Sequence, residues 1–326
     1  MVSPRPGGNA FVSGFYRCSD AVTAALTGRQ PVVALETTVV THGLPYPEGL
    51  TVALELEEVV RTHGAVPATI GILEGVVRIG LNRAELERLA NDRTAVKTNL
   101  SNLAAILSSK RTGSTTVAAT MAAANAKGIR VFATGGIGGV HRGVDVSGDI
   151  STDLIALSRV PVAVVTAGAK AILDLPRTVE MLETLGVPVV GFGTNEFPAF
   201  YRRSSGLRVD ARVDSIDALA DTVNAHLALG LGSGVLVANP IPENDELPLD
   251  VYETALARAL ADVETQGLIG REVTPFLLER LRELTGGDTL RANVALLRNN
   301  ARVAALLAAA LCSCVSWLAP SHVGDR

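Results

Sequence analysis

The sequence contains few cysteines. Cys18, Cys312 and Cys314 are the three among its 326 residues, and their spacing forms neither a disulfide framework nor, with a second Cys/His pair, a zinc site. Small secreted domains depend on such frameworks, whereas proteins of reducing compartments do without them. We therefore expect a cytoplasmic protein.

The chain also lacks an excess of positive charge. Its 29 Lys and Arg are outnumbered by 33 Asp and Glu, which gives a net charge of −4 and a pI near 5.8. A broad nucleic-acid-binding surface needs a basic face, so we expect no nucleic-acid partner, although a local anion pocket remains compatible.

Sequences typical of targeting or membrane insertion are scarce as well. The first residues, MVSPRPGGNAF, lack the apolar segment of a signal peptide. The longest apolar stretch, residues 303–319, approaches the length of a membrane span, but Cys, Ser and Ala dilute it. We interpret it as a core or subunit-facing helix and expect no membrane partner.

What the sequence does have is a regular alternation of strand-like and helix-like segments. Residues 1–18 are rich in Pro, Gly and Ser and are predicted to be a poorly ordered tail. After them, apolar runs such as PVVALETTVV and VPVAVVTAG alternate with amphipathic segments such as PEGLTVALELEEVVRTHG, and long helices are predicted over 249–267, 273–284 and 288–311. This order predicts an α/β fold with a mostly parallel sheet covered by helices on both faces.

Glu36 stands out because it lies inside the first apolar run, VVALETTVV. A run rich in β-branched residues is typical of a buried strand. Burying an ionised carboxylate is costly unless it is paired or its pKa rises. Since ligands gather at the carboxyl ends of parallel strands, Glu36 is a candidate functional residue.

The loop ATGGIGGVHRG follows a predicted strand and is rich in glycine. Glycines let the backbone approach a ligand, their N–H groups can hold an anion, and His141 and Arg142 add possible phosphate contacts. The loop matches neither the dinucleotide fingerprint nor the Walker A motif. A purely structural turn is the alternative.

Three carboxylates follow at a spacing of four, in GVDVSGDISTDL. Asp145, Asp149 and Asp153 offer the oxygen ligands that suit magnesium or manganese. The same spacing also fits the solvated start of a helix, where acidic residues are favoured.

Two lysines follow β-like runs. Lys170 ends VPVAVVTAGAK, where partial desolvation would favour a neutral amine that can form a Schiff base with a carbonyl; a lysine with its charged end in water is the alternative. Lys97, in TAVKTNL, is a candidate phosphate ligand or an ordinary surface lysine. GSTTVAAT is predicted to open a helix whose N-terminus binds an anion, or is simply capped by Ser114.

Long stretches of the chain, from about residue 19 to 310, resemble the pseudouridine-5′-phosphate glycosidases. The motifs that carry the resemblance occur in the family's order: PVVALETTVVTHGLPYPEG, GAVPATIGILEG, GSTTVAATMAAANAKGIRVFATGGIGGVHRG, DISTDL, AGAKAILDLPRTVEMLETLGVPVVGFGTNEFPAFY, VANPIPE and GREVTPFLLERLRELTGGDTLRANVALLRNNARVAA. The resemblance implies a single domain over 19–311, followed by a divergent tail over 312–326.

The resemblance also implies an activity and a site. The expected reaction is reversible cleavage of the C–C glycosidic bond of pseudouridine 5′-phosphate into uracil and ribose 5-phosphate, in a three-layer α/β/α sandwich that forms a homotrimer and uses Mn²⁺ or another divalent cation. Glu36 matches the family's proton donor, Lys170 its Schiff-base nucleophile and Asp149 its metal-binding residue. The positions that match substrate-binding residues are Lys97, Val117, Ser151, Thr152, Asp153 and, in a late motif, Asn293.

The segment after Lys97 departs from the family pattern. It reads TNLSNL, where relatives carry arginines and an aspartate, and this difference concerns phosphate binding. Two other hypotheses stay open: a Schiff-base lyase of the aldolase type acting on another phosphosugar, and a phosphosugar-binding module without activity. Release of uracil from pseudouridine 5′-phosphate separates all three.

Overall fold

A single sheet of eleven strands forms the centre of the protein. The computed structural model describes residues 14–268 and 273–313, and within these ranges the strands pair in the order β1-β4-β3-β2-β7-β8-β11-β9-β10, with β6 beside β3 and β5 beside β6. The strands are β1 Tyr16–Cys18, β2 Val32–Leu35, β3 Val66–Leu73, β4 Val76–Ile79, β5 Val96–Thr98, β6 Gly113–Thr115, β7 Val131–Ala133, β8 Ala163–Thr166, β9 Val189–Phe192, β10 Ala211–Val213 and β11 Val235–Ala238.

The strands are mostly parallel, as predicted. Only the β3–β4 and β3–β6 pairs are antiparallel, while the central run β3-β2-β7-β8-β11-β9-β10 is parallel throughout. All residues of β2, β7, β8 and β11 are buried. Apolar runs of this kind are expected where helices cover both faces of a sheet.

Twelve helices of one turn or more lie in the described ranges. They are α1 Asp20–Thr27, α2 Glu48–Thr62, α3 Arg83–Asn91, α4 Leu103–Ser108, α5 Val117–Asn125, α6 Val144–Ser147, α7 Thr152–Arg159, α8 Leu175–Thr184, α9 Ile216–Ala228, α10 Leu249–Gln266, α11 Val273–Leu284 and α12 Asp288–Ser313. A π-helical turn spans Val39–Gly43 and a 3₁₀ turn spans Glu243–Asp245.

The helices form layers on both sides of the sheet. Helix α12 packs against β2, β7 and β8 and against α2 and α9, whereas α5 packs against β2, β3 and α7. Helices α2 and α9, which pack against α12, and helix α7, which packs against α5, form two separate groups on the sheet. The predicted three-layer α/β/α sandwich is therefore confirmed.

Helix α12 is the long apolar segment that the sequence shows near residue 303. It is long and apolar enough to cross a membrane, but 56% of its most apolar window is buried inside the protein. Its Ala304, Leu307 and Ala308 are buried in the main core. The interpretation as a core helix is confirmed.

Three predicted boundaries are wrong. The run PVVALETTVV is a strand only over Val32–Leu35, because the Thr37 and Thr38 hydroxyls donate to the carbonyls of Ile70 (2.8 Å) and Thr115 (2.7 Å) and draw the chain off the sheet. Ser114 lies in strand β6, and Thr116 is the cap of α5. Tyr16–Cys18, predicted to belong to the tail, pairs with β4. Residues 1–13 and 314–326 of the predicted tails lie outside the described residues.

Gly168 is the glycine on which the turn after β8 depends most. Its φ is +84°, and a Cβ there would lie 2.0 Å from the Pro198 carbonyl oxygen, whereas Gly186, with a φ of +66°, has open space around it. Both positions favour glycine, but only Gly168 also lacks room for a side chain.

We expect Gly168→Ala to destabilise the protein far more than Gly186→Ala. The left-handed backbone costs either variant about 1–2 kcal/mol, and overpacking adds about 1–3 kcal/mol at Gly168 alone. Urea unfolding of the two variants beside the parent measures the difference. Equal losses of unfolding free energy would contradict the assigned packing of this turn.

Candidate active site

Glu36 is the first residue after β2 and points into a recess at the carboxyl edge of the sheet. Its carboxylate accepts a hydrogen bond from the Thr134 hydroxyl, which follows β7 directly. Burial raises the pKa of Glu36 above its ordinary value; Lys170, the Thr134 hydrogen bond and Lys97 oppose this rise, and Asp153 adds to it. The net direction favours a protonated carboxyl compared with an exposed glutamate.

Lys170 reaches the same recess from the turn that follows β8. This turn runs beside the glycine-rich loop: the Ile137 N–H donates to the Gly168 carbonyl and the Lys170 N–H donates to the Ile137 carbonyl, both at 3.0 Å. Gly136 makes the close approach possible, because a Cβ there would lie 2.6 Å from the Phe200 ring. The loop thus sets the position from which the Lys170 amine enters the recess.

Two connected cavities occupy the recess. The inner cavity, of about 50 Å³, is lined by Glu36, Lys170, Lys97, Thr134, Asn293 and apolar side chains that include Phe200 and Leu297. The outer cavity, of about 360 Å³, shares Glu36, Thr38, Lys97 and Lys170 with it. The predicted residues that line the outer cavity are Glu36, Lys97, Val117, His141, Asp149, Ser151, Thr152, Asp153 and Lys170.

Asp153 joins two walls of the outer cavity. Its Oδ2 accepts from the Gly138 N–H at 2.8 Å and its Oδ1 accepts from the Ala118 N–H at 3.0 Å. Ser151 caps α7, and a Cβ on Gly138 would lie 2.3 Å from its Oγ. Asp153 therefore fixes the glycine-rich loop against the N-terminus of α5.

The N-terminus of α5 gives the outer cavity an anion-binding character. Thr116 and Val117, at the start of this nine-residue helix, both line the cavity. Backbone N–H groups and the helix dipole favour a negative charge at such an end, and the Asp153 carboxylate already uses the Ala118 N–H there. The ammonium group of Lys97, on β5, adds a positive charge to the same wall.

His141 and Asp149 form the opposite rim. The His141 Nδ1 lies 3.9 Å from Asp149 Oδ2, and the Asp149 side chain is 36% exposed. Burial lowers the pKa of His141, Asp149 opposes this change, and Lys170 and Lys97 add to it. The imidazole is thus favoured in its neutral form.

The donors at this rim fit a hydrated divalent cation better than a cage built by the protein. Among the residues that the structure describes, no group of three or more His, Cys, Asp or Glu side chains could hold a metal ion. Hard cations such as Mg²⁺, and Mn²⁺ with the same oxygen preference, can be bound through one or two carboxylates together with water and substrate phosphate. Asp149 provides one such carboxylate beside the outer cavity.

The three aspartates do not share a helical face. Asp145 lies on α6 and forms an ion pair with Arg177 at 3.0 Å, Asp149 lies in the following loop, and Asp153 is buried in the first turn of α7. The alternative of a solvated helix start fits Asp145, which is exposed in the first turn of α6, but not Asp149 or the buried Asp153.

Arg142 and Asn293 lie away from the outer cavity. Arg142 is exposed, and its Nε donates to the Ile172 carbonyl at 3.3 Å. Asn293 is buried on α12 and borders the inner cavity and a third cavity of about 390 Å³ that lies beyond it. Arg142 is next to His141 in the sequence, but only His141 lines the outer cavity, and the Arg142 side chain binds the Ile172 carbonyl instead.

The sequence analysis missed Thr134 and His42. Thr134 holds Glu36, and its signal is a hydroxyl residue at the end of the strand before the glycine-rich loop. His42 lines the inner cavity; its Nδ1 lies 2.6 Å from Thr41 Oγ1 and 3.3 Å from Ser114 Oγ, and burial, followed by the charge of Lys97, lowers its pKa. Its signal is the THG triplet after the Glu36 strand.

Nearly the whole chain matches a known family of proteins. The family model described as "Indigoidine synthase A like protein" matches residues 21–310. Among similar proteins, the pseudouridine-5′-phosphate glycosidase of Caldanaerobacter subterraneus subsp. tengcongensis is 51% identical over 91% of this chain and 97% of its own length. The pseudouridine-5′-phosphate glycosidase of Solibacter usitatus is 52% identical over 88% of this chain and 96% of its own.

Two solved structures have the same fold as this chain. The prealnumycin C-glycosynthase AlnA, determined in complex with ribulose 5-phosphate, superimposes with a TM-score of 0.86 at 38% identity, covering 93% of this chain and 99% of AlnA. An indigoidine synthase A-like protein from Thermotoga maritima gives a TM-score of 0.83, also at 38% identity, over 91% of this chain and 97% of its own. The chain therefore belongs to the pseudouridine-5′-phosphate glycosidase family.

Proposed function

We propose that this protein cleaves pseudouridine 5′-phosphate reversibly into uracil and ribose 5-phosphate. The observation that carries the proposal is that Glu36, with a raised pKa, and Lys170 line the same inner cavity. An acid and an amine in one small cavity are what ring opening and imine formation require. Relatives named for this reaction are 51% and 52% identical.

A bond between two carbon atoms dictates an unusual route. The usual pair of glycosidase carboxylates protonates a leaving oxygen, and here the leaving atom is a carbon of uracil. We infer that Glu36 instead protonates the ribose ring oxygen while the free amine of Lys170 attacks the anomeric carbon. The ring C–O bond breaks as the C–N bond forms, and Glu36 becomes a carboxylate.

The second half of the reaction releases both products. The nitrogen of the Lys170 adduct, which carries two protons after the attack, returns one to the Glu36 carboxylate. Its lone pair then forms a C=N bond as the bond from the anomeric carbon to uracil breaks, and Glu36 gives the proton to the uracil carbon that receives the electron pair. Water then adds to the imine, frees the lysine and yields ribose 5-phosphate. One water is consumed overall, so atoms and charge balance.

The outer cavity suits the sugar phosphate. Lys97, the N-terminus of α5 at Val117 and the Ser151–Asp153 segment would bind the phosphate and the sugar hydroxyls, and His141 borders the same space. AlnA, a structural neighbour, binds ribulose 5-phosphate. Asn293 borders the inner cavity beside the two catalytic residues, whereas the orientation of Arg142 leaves it out of this proposal.

Asp149 would hold the divalent cation, which is expected to be Mn²⁺. When bound, the cation would supply positive charge that orders water and phosphate at the rim. The protein is expected to work in the cytoplasm.

The two other hypotheses have weaker support. A lyase of the aldolase type on another phosphosugar would use the same acid and amine, and AlnA is named for the synthesis of a different C-glycoside. AlnA is 38% identical, however, compared with 51% for the named glycosidase of Caldanaerobacter. A module without activity leaves the pairing of Glu36 and Lys170 in one cavity unexplained.

The direct test is release of uracil from pseudouridine 5′-phosphate, followed by liquid chromatography. Lys170→Ala should release none, and Lys170→Arg should be equally inactive because a guanidinium stays protonated. Glu36→Gln should lose roughly 10²–10⁴-fold in kcat. The exposed Lys110 serves as a matched control, and Lys110→Ala should keep normal turnover. No uracil from the parent protein, or normal release by Lys170→Ala, would contradict the proposal.

Metal dependence is the second expected outcome. Exhaustive chelation should remove most activity and Mn²⁺ should restore it, and Asp149→Asn should need far more Mn²⁺ for half-maximal activity. Asp145→Asn is the control, because Asp145 pairs with Arg177 outside both cavities. Full activity after chelation would remove the metal from the proposal.

The raised pKa of Glu36 also predicts a stability effect. Between the ordinary Glu pKa and the raised one, the folded chain keeps a proton that the unfolded chain has lost, so folding stability falls as pH rises through this window. Glu36→Gln does not titrate and should gain stability relative to the parent by at most about 1.4 kcal/mol per pH unit.

Urea unfolding of Glu36→Gln and its parent between pH 4 and 8 measures the difference between their unfolding free energies. The exposed Glu58 provides a control, since Glu58→Gln should show no such trend. If the stability advantage of Glu36→Gln instead became smaller as pH rises, the folded protein would stabilise the ionised carboxyl, which would contradict a raised pKa.

The expected assembly is a homotrimer. The small apolar side chains of α5 and α12 fit close helix packing, but seven of the nine residues of α5 and 13 of the 26 residues of α12 are already buried within the subunit. Light scattering in dilute buffer should report about three times the chain mass of 33.9 kDa. A monomer with full activity would count against trimer formation.

A further inference from the structure

A second polar residue of α12, Asn300, is completely buried behind the active site. Its Nδ2 donates to the Thr134 carbonyl at 2.8 Å and, more weakly, to the Gly135 carbonyl at 3.4 Å. Its Oδ1 accepts from the Asn239 Nδ2 at 2.8 Å. A buried amide is costly unless it is paired, and these contacts satisfy both ends of the Asn300 side chain.

These contacts join the ends of three neighbouring strands. Asn239 follows β11 directly, and its N–H donates to the Thr166 carbonyl at the end of β8 at 2.8 Å. The Thr166 hydroxyl donates in turn to the carbonyls of Gly168 at 2.8 Å and Gly135 at 3.2 Å. One network of hydrogen bonds therefore holds both loops that carry the active site.

The segments held by this network also contact Glu36 and carry Lys170, the two residues proposed to be catalytic. The Thr134 main chain accepts from Asn300, while its side chain donates to Glu36. Gly168 accepts from Thr166 and Ile137, and the Ile137 carbonyl accepts from the Lys170 N–H. A shift at Asn300 would therefore move the hydroxyl that holds the acid and the loop that carries the amine.

We propose that Asn300 is a positioning residue for the reaction, acting through Thr134 on Glu36 and through the paired loops on Lys170. The proposal rests on the function inferred above for those two residues. An apolar side chain of similar size, such as Leu, would fill the same space but would leave the Asn239 Nδ2 and the Thr134 carbonyl without this partner. The polar residue instead fixes one arrangement of the strand ends, which a catalytic site held within a fraction of an ångström needs.

Several charged or titratable groups face Glu36 and contribute to its pKa. Lys97 on β5, Asp153 on α7 and Lys170 after β8 act on its carboxyl. His42, after the π-helical turn begins, and His141, in the glycine-rich loop, line the adjoining space. Lys170 and His141 lie on the two loops that Asn300 is proposed to hold. A change in the Glu36 pKa after substitution of Asn300 therefore combines the loss of the Thr134 hydrogen bond with any displacement of the Lys170 charge, and both of these raise the pKa.

The experiment measures the Glu36 titration directly, by carboxyl ¹³C NMR of the free protein labelled at glutamate, with Glu36→Gln to assign the signal. Thr134→Val removes the donor to the carboxylate and should raise the pKa of Glu36, whereas Thr134→Ser should restore it. Asn300→Leu should move the pKa in the same direction as Thr134→Val. The matched control is Asn299→Leu, because Asn299 donates to the Pro240 carbonyl at 3.1 Å, away from Thr134.

Turnover supplies a second readout. Asn300→Leu should lower kcat about tenfold to hundredfold with little change in KM, the scale expected of a misplaced catalytic group. Because Glu36 acts as a proton donor, kcat should fall at high pH as Glu36 loses its proton. In Asn300→Leu this fall should occur at a higher pH than in the parent. The double variant Thr134→Val/Asn300→Leu should shift the pH profile by less than the sum of the two single shifts, since part of the Asn300 effect passes through the Thr134 hydroxyl.

An Asn300→Leu protein that folds but keeps the parent's Glu36 pKa and kcat would overturn the proposal, whatever its melting temperature. If that variant does not fold, Asn239→Ala loosens the same amide from its other side, and the same two readouts decide. The NMR titration needs no substrate. A parent protein that releases no uracil, with a Glu36 pKa that still responds to Asn300→Leu, would therefore refute the proposed function and leave the positioning role standing.

Discussion

The hydrogen bond from the Thr134 hydroxyl to the buried carboxyl of Glu36 is the interaction around which the site is organised. Burial in an apolar recess raises the pKa of Glu36, and this single hydroxyl, with the charges of Lys170 and Lys97, limits the rise. A donor with a pKa near the working pH is more useful than one that never releases its proton. The site thus depends on partial, rather than complete, compensation of a buried charge.

The parallel sheet makes this arrangement possible because it brings several strand ends to one edge. Strands β2, β7 and β8 deliver Glu36, Thr134 and the loop of Lys170 side by side. Glycine then lets both loops pack closely against the segment after β9, since a Cβ on Gly136 or Gly168 would clash with Phe200 or Pro198. Side chains from α12 seal the recess from behind.

Much of this could be predicted from the sequence. The alternation of elements predicted the parallel sheet, and the carboxylate in an apolar run singled out Glu36, which the structure places in one cavity with Lys170. The end of β2 at Leu35 could not be predicted, because the hydroxyls of Thr37 and Thr38 find acceptors on β3 and β6 rather than in their own strand. Asn300 was equally hidden, since its partner Thr134 lies 166 residues away. The orientation of Arg142 depends on a carbonyl 30 residues further along the chain.

The central claim is that the Lys170 amine forms a covalent bond with the sugar in the space that Glu36 borders. Sodium borohydride added with ribose 5-phosphate would reduce such an imine to a stable amine, and peptide mass mapping would locate it. The account predicts a single adduct on Lys170, absent from Lys170→Ala and formed slowly by Glu36→Gln, because free ribose 5-phosphate opens its ring unaided. An adduct on Lys97, or no adduct in protein that releases uracil, would contradict it.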